Sequence, residues 1–482
     1  MKTLVKSWLI IACLTLIAAC NKSDQLNEDL AGSLKSSDHG GKVFTVAPNG
    51  TDDTQNIITA FENAKASSPG AMVQLTPGTF IIGFIEVREF NGFFKGAGKG
   101  NTIITNRPGL PCDESFEQNI APSLMTFIGG KIKISDMTFH IADGDPCIPG
   151  PLNDFFYGDL WSVVILTDYS ATFMPDHRYI NGTIDNVEFI AGNDGGHGTY
   201  GTSGNVAMAV FCSGNFVYQY ENNFPLTNGD ITISNCYFKN NLCGPDFFAL
   251  SEKSTVNIVN NVVDGGEDNG YQSVFFAYMV GATVNVKNNL VKNSTFVDLY
   301  IIQDDYGLFP NLTPPSKSGK FTIEGNVFQS SPGLISIYMS DWFRTETPGA
   351  APTIFDVKNN TFITSGNGIA ILSEESIKAK ISNNKFQGSG TYGVAIDGDE
   401  TTNIFAEKNH VLNNDFRDAI YDEASVYLGP FSKDNLVVGV PADKVIDLGS
   451  NNKINGPKII KNGHPKSMTI HQQAKQKGKI LR

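Results

Sequence analysis

The sequence predicts an all-β solenoid, a chain wound into stacked coils of short strands joined by tight turns. Three observations predict it. The first is a six-residue pattern: an apolar residue, a spacer, one or two Asn, a spacer, then an apolar or aromatic residue. It reads ISDMTF at 134–139, IDNVEF at 184–189, ISNCYF at 233–238 and IVNNVV at 258–263. It returns as VKNNLV at 286–291, IEGNVF at 323–328, VKNNTF at 357–362 and ISNNKF at 381–386. The fourth positions (137, 187, 236, 261, 289, 326, 360 and 384) are separated by 50, 49, 25, 28, 37, 34 and 24 residues. The common step is about 25 residues, and the two long steps count as two coils each.

The second observation is composition. The chain has 482 residues with 48 Gly, 41% hydrophobic and only 18% charged, which suits strands and turns better than long solvated helices. That length exceeds one compact core, so it implies several domains or one elongated stack. The third is the entry segment. Residues 43–83 read VFTVAPNGTDDTQNIITAFENAKASSPGAMVQLTPGTFIIG, and FKGAGKGNTII follows at 94–104. Asp52 or Asp53 caps a helix from about Thr54 to Ala66. Ile57, Ile58, Phe61 and Ala64 give it one apolar face, able to seal the open end of a solenoid whose first coil would otherwise expose core and strand edges. The recurrent Asn has its own task. It tolerates the left-handed backbone of a tight turn, and its amide can bond to the Asn of the next coil.

The entry segment (NG-TDDT, helix, PG, short strand, P-G-T-F, G-x-G turn) resembles that of pectin-lyase-like proteins over about 60 residues, and the Asn coils carry the resemblance to about residue 450. The resemblance implies a right-handed parallel β-helix with an N-terminal capping helix. It also implies a superfamily that includes pectate lyases, polygalacturonases, alginate and chondroitin lyases, epimerases, phage tailspikes and members without known activity.

The first twenty residues, MKTLVKSWLIIACLTLIAAC, set an address. Lys2 and Lys6 give a positive start, and Leu9–Ala18 is an apolar run too short to span a bilayer comfortably. Leu16-Ile17-Ala18-Ala19-Cys20 resembles the lipobox of bacterial lipoproteins, which implies cleavage before Cys20 and a lipid on it. The expected organisation is a signal peptide at 1–19, a flexible tether at 20–42, a β-helix at 43–450 and a basic tail at 451–482. The expected location is the bacterial cell envelope, anchored by lipid, with the leaflet left open. Of the remaining cysteines (Cys112, Cys147, Cys212, Cys236, Cys243), Cys236 and Cys243 can bridge locally or sit as small buried residues. No spacing suggests zinc.

Charge narrows the partners. The net charge is 36 − 49 = −13, but residues 451–482 carry eight basic residues and no acid, and the first 19 carry two. The body at 20–450 therefore holds 26 basic and 49 acidic residues, a net of −23. Such a body repels nucleic acid. It also repels an acidic polysaccharide unless Ca²⁺ bridges the two.

Aligning the strands after each Asn corner stacks Ile165, Ala209, Ala249, Ala277, Leu299, Ile337, Ile371 and Ile396 inside. The next residues then point outward: Leu166, Val210, Leu250, Tyr278, Tyr300, Tyr338, Leu372 and Asp397. Phe276, Asp298 and Ser336 lie beside them, and Asp304, Asp305, Asp341, Trp342 and Arg344 lie just past the strand ends. Aromatic faces stack on sugar rings, while carboxylates supply acid–base chemistry or hold Ca²⁺. Tyr278, Tyr300, Tyr338, Trp342 and Arg344 are thus candidate polysaccharide contacts, and Asp298, Asp304, Asp305 and Asp341 candidate catalytic acids. The same residues also fit an aromatic ladder under a loop with solvated acids at a turn.

Known motifs match in part. Polygalacturonases carry N-T-D, D-D, G-H-G and R-I-K in that order. Here Asp304-Asp305 and Gly196-His197-Gly198 occur in reverse order and the other two are missing. Ser251-Glu252-Lys253-Ser254 resembles the S-x-K-S stretch of β-helix alginate and chondroitin lyases, which makes Lys253 a candidate base. The same frame recurs at 372–384 with Glu375 replacing the Lys, and the Arg-His-Gly expected one coil later is absent. Three functions stay open: a polysaccharide lyase or hydrolase, a non-catalytic carbohydrate-binding or adhesion lipoprotein, and a structural envelope protein. The anchor is the part testable at once. Cys20→Ala should yield a soluble or unprocessed product, and a variant that partitions into detergent as the parent does would contradict the lipobox.

Overall fold

In the computed structural model the six-residue repeats lie one above another and the chain forms a right-handed parallel β-helix. The structure describes residues 41–107, 123–141, 160–167, 180–191, 206–213, 229–239, 243–248, 250–265, 270–277, 279, 281–302, 318–341, 351–375, 378–400 and 403–455. The signal segment with Cys20, and most of the tether and tail, lie outside them.

The first apolar position of each repeat builds the spine. Phe44, Val73, Phe94, Ile134, Ile184, Ile233 and Ile258 pair in sequence across parallel strands. Val286, Ile323, Val357, Ile381, Val411, Val437 and Ile454 continue the column. Thirteen steps of one strand spacing, about 4.8 Å each, carry it roughly 60 Å. The last apolar position forms a second column. Phe139, Phe189 and Phe238 stack at 5.3 and 5.1 Å, Val263 and Val291 follow, and Phe328, Phe362, Phe386 and Phe416 stack at 5.3, 5.0 and 4.4 Å. Apart from the partly buried end members Phe44, Ile454 and Phe416, both columns are shielded from water, and their burial drives the coils together.

The corner divides the two tasks expected of one Asn between neighbours. The first residue turns the chain: Asn186, Asn235, Asn260, Asn288, Asn359, Asn383 and Asn413 have φ between 51° and 58°. Gly325, at φ 69°, takes that place in IEGNVF. The second residue ties the coils. Asn261, Asn289, Asn326, Asn360 and Asn384 each donate from Nδ2 to Oδ1 of the next Asn in the series at 2.9–3.0 Å, ending on Asn414. The backbone N–H of each donates to the same oxygen at 2.8–2.9 Å. The remaining Nδ2 hydrogen goes to a spine carbonyl, as from Asn326 to Val286 at 2.8 Å. Each of these six side chains is 5% exposed or less, so a fully bonded amide column runs inside the corner. Toward the N-terminus it ends where the Cys236 N–H meets Asn261 Oδ1, and Val187 and Met137 fill the place beyond. A second column, Asn409 to Asn435 to Asn452, joins at 3.1 Å per step in the last coils.

The entry helix spans Thr54–Ser67. Ile57, Ala60, Phe61 and Ala64 are buried, with Ile58 partly so, and the Phe61 ring lies 5.1 Å from both Phe90 and Phe94. Asp52 and Asp53 share the anchoring. Asp52 accepts from the Thr54 N–H and from Arg107 at 3.0 and 2.7 Å. The Thr54 hydrogen bonds, aided by Arg107, hold its carboxyl down at about 2. Asp53 is fully buried and accepts from the Asn49 and Ile81 N–H groups at 2.8 and 3.2 Å, which pins the helix start to the first coil.

Two expectations need correction, and one open alternative, a buried Cys236 against a bridge to Cys243, is decided. Met137 pairs directly with Val187, and Ile184 with Ile233, so each step of about 50 residues is one coil with insertions. Spacing alone cannot tell an insertion from an unmarked coil. Cys212 and Cys236 are buried thiols, so Cys236 is not bridged to Cys243. The strand register also slips in the early coils, where Val164, Val210 and Leu166, Cys212 line up and are buried in the core. Leu166 and Val210 therefore point inward, because LWSVVILT and VAMAVFCS are apolar on both faces and give no alternation to read.

The corner allows a contrast between neighbours. Asn360→Ala should cost about 2–4 kcal/mol, since it strands the N–H and amide of Asn326 in the core. Asn359→Gly should change stability by less than about 0.5 kcal/mol, because Gly adopts the same backbone freely. Urea unfolding decides, and equal losses at the two positions would contradict the division of tasks.

Candidate functional site

The strands after the corner carry an inner and an outer face. Val274, Leu299, Ile337, Ile371, Val394 and Val426 pair in one inward row, and Phe276, Ile301 and Met339 in the next. The Phe276 ring meets Phe321 of the spine sheet at 5.5 Å, so Phe276 lies in the core and not outside as expected. By alternation Tyr300 and Tyr338 point outward, as expected. They are direct strand partners with ring centroids 5.1 Å apart.

Tyr278 is not the third member of that row. Phe275 stands opposite Tyr300, three residues earlier than the sequence alignment placed the partner. A register shift between Gly270 and Gln272 accompanies it. Tyr278 itself lies outside the described residues, as do Asp304, Asp305, Trp342 and Arg344.

The outer face is also closed where it is described. Tyr300 is 5% exposed, Tyr338 8% and Asp298 0%. Alternation reports where a side chain points and says nothing of what covers it. Asp298 is surrounded by hydroxyls. Ser294 donates to Oδ1 at 2.5 Å and Ser330 to Oδ2 at 2.6 Å, and the Ser330 and Ser336 hydroxyls meet at 2.5 Å. Burial pushes the Asp298 carboxyl up to about 7, against the serine hydrogen bonds that lower it. Asp341 is buried at its strand end and accepts from the Thr353 N–H at 3.0 Å. Lys253 is exposed in a turn before the spine strand Thr255–Val259. The neighbouring Ser254 hydroxyl accepts from the Gly229 N–H at 3.0 Å, which gives the serine of that frame a coil-linking task.

Two acids were missed. Glu374, 1% exposed, receives the Tyr338 hydroxyl on Oε2 at 2.7 Å. It stands opposite Ser340 and Asp397 on the adjacent rungs. Glu374 follows the outward Leu372 by two residues, so the period of two in a strand could have found it. Asp246, 2% exposed, occupies the tyrosine row two rungs earlier, opposite Phe211 and Phe275. Among the described residues its Oδ1 has no hydrogen-bond partner, and burial pushes its carboxyl well above the usual range. No sequence period marks it, since Pro245, Phe247 and Phe248 surround it. Among the described residues no three His, Cys, Asp or Glu side chains converge as a metal centre.

Asp298 makes the pH dependence explicit. Its folded value of about 7 exceeds the ordinary 3.8, so its stabilising contribution is complete below pH 3.8 and is lost as pH rises through 7. A shift of that size amounts to at most about 4 kcal/mol. Asp298→Asn does not titrate, so its stability relative to the parent should rise between pH 4 and 7 and then level off. A difference that is flat over that range, measured by urea unfolding, would show that Asp298 does not titrate there.

No protein-family model matches the chain, and no curated protein matches it. Several solved structures are similar to the chain at low identity. The DFA-IIIase of Arthrobacter chlorophenolicus A6, solved with DFA-III, is 12% identical over 87% of this chain and 99% of that one, with a TM-score of 0.49. The Streptococcus pneumoniae surface protein and adhesin PfbA is 11% identical over 88% and 97%, with a TM-score of 0.47. The catalytic domain of a GH87 alpha-1,3-glucanase, solved with tetrasaccharides, is 12% identical over 90% and 68%, with a TM-score of 0.48.

Proposed function

We propose that this chain is an exported, lipid-anchored protein of the bacterial cell envelope that binds polysaccharide on the outer face of its β-helix and cleaves it there. One observation carries the proposal: the Tyr338 hydroxyl bonded to buried Glu374, with the Tyr300 ring on the neighbouring rung. Glu374 is a carboxylate buried on the outer side of a sheet rather than in the solenoid core. Taking one out of water costs several kcal/mol, which favours a chemical task for it. Tyr300 and Tyr338 supply the ring faces for sugar, and Glu374 is the base or nucleophile that the Tyr338 hydroxyl orients. Asp298, at about 7, holds a proton that it can release near neutral pH. Asp341 ends one of these strands, and Asp304, Asp305, Trp342 and Arg344 follow the two strands in sequence as further candidates, the acids for Ca²⁺ as well as for chemistry.

A specific observation favours non-catalytic binding as the second function. The carboxylate oxygens of Asp298 are already engaged by serine hydroxyls, as in a structural acid.

The chain from Asn21 onward, incubated with plant, algal and host polysaccharides, separates the two. Release of reducing ends marks a hydrolase, and added absorbance from unsaturated products marks a lyase. Glu374→Gln should then cut turnover by about a hundredfold or more while binding stays within about threefold. Tyr300→Ala should weaken binding by about 1–3 kcal/mol. Full turnover in Glu374→Gln would remove Glu374 from the chemistry. Binding without any product would favour the second function.

A further inference from the structure

The last coils leave one strand edge unfinished. The strand Asp415–Leu428 pairs along nearly its whole length with Lys385–Asp397. On its other side, among the described residues, only Val426–Leu428 are paired, with Val445–Asp447. The cause lies in coil length. Leu412 pairs with Val438, and Val426 with Val445. The chain thus takes 14 residues between those points in one coil and 7 in the next, cutting the corner through the short turn Ala442–Lys444. The segment 416–423 overhangs the shorter coil with its backbone groups on that side unclaimed by any described strand.

Its side chains describe the partner it fits. Phe416, Ala419 and Tyr421 pack toward the core, while Arg417, Asp418, Ile420, Asp422 and Glu423 are exposed, Ile420 by 74%. With Asp415, the strand end holds four acids and one Arg, a net of −3. A second copy would bring −3 against −3, which disfavours edge-to-edge pairing of this strand with itself. The chain beyond Asn455 has the opposite character. Residues 456–482 carry six Lys and Arg482 and no acid, with Ile459 and Ile460 between Lys458 and Lys461. They begin in the very coils that leave the edge open, since the Asn455 N–H donates to the Val437 carbonyl in the coil that follows the overhanging strand.

We infer that the basic C-terminal segment 456–482 docks on the acidic edge 416–423, supplying backbone partners to the strand and covering Ile420. The edge lies at the C-terminal end of the solenoid, and the helix Thr54–Ser67 at its start. It is independent of any glycan activity.

Hydrogen exchange on the full chain tests this, compared with a chain ending at Asn455. The amides of 417–423 should exchange at least about tenfold faster after truncation, and also faster in the full chain at high salt. Two variants guard against a folding defect. Asp418→Lys with Asp422→Lys, and separately Lys458→Glu with Lys461→Glu, should each expose the edge, and combining the four should restore protection. Equal exchange at 417–423 in the full and truncated chains would overturn the inference. So would protection that rises with protein concentration, which would make a second copy the occupant.

Discussion

The coils from Asn261 to Asn414 depend on a buried amide whose hydrogen bonds are satisfied only by the coils beside it. An asparagine inside a solenoid corner faces a low-dielectric interior, where an unmatched donor or acceptor costs about 1–3 kcal/mol. In the column from Asn261 to Asn414 the acceptor oxygen receives two bonds from one neighbour and the amide donates to the other and to a spine carbonyl. Sliding a strand by one residue would break all of them and turn its apolar face outward. The column therefore fixes register from Asn261 to Asn414, and it lets insertions leave between those strands without disturbing the stack.

Rigid register is what positions the candidate site. Tyr300, Tyr338 and Glu374 come from three coils and share no local sequence, yet Tyr338 pairs directly with Tyr300 on one side and Leu372 on the other. Glu374 then follows Leu372 on the same face. Side chains on rigid strands hold their geometry more tightly than side chains on loops. The price is burial of titratable groups. Asp246 and Asp298 are both driven toward their neutral forms, so the outer face is less anionic near neutral pH than its formal charge implies, a property suited to a neutral or acidic sugar chain.

Much of this was legible in the sequence, and the failures have physical causes. The hexapeptide, the capping helix and the outward pointing of Tyr300 and Tyr338 could be read because each rests on a local period. The places of Leu166, Val210 and Phe276 could not, because their strands are apolar on both faces. Phe275, not Tyr278, stands opposite Tyr300 because the register shifts near Gly270, an irregularity that no pattern announces. The serines around Asp298 come from two coils, at 294, 330 and 336, so the hydroxyl setting that distinguishes a buried acid from a solvated one appears only after folding.

The central claim is that sugar meets this protein at Glu374. A crystal structure of the chain with an oligosaccharide from a polysaccharide that it binds tests the claim most directly. The account predicts a sugar hydroxyl or glycosidic oxygen within about 3 Å of the Glu374 carboxylate, with Tyr300 or Tyr338 against the ring. An oligosaccharide bound elsewhere on the solenoid, with the Tyr338–Glu374 hydrogen bond unchanged and still buried, would contradict it.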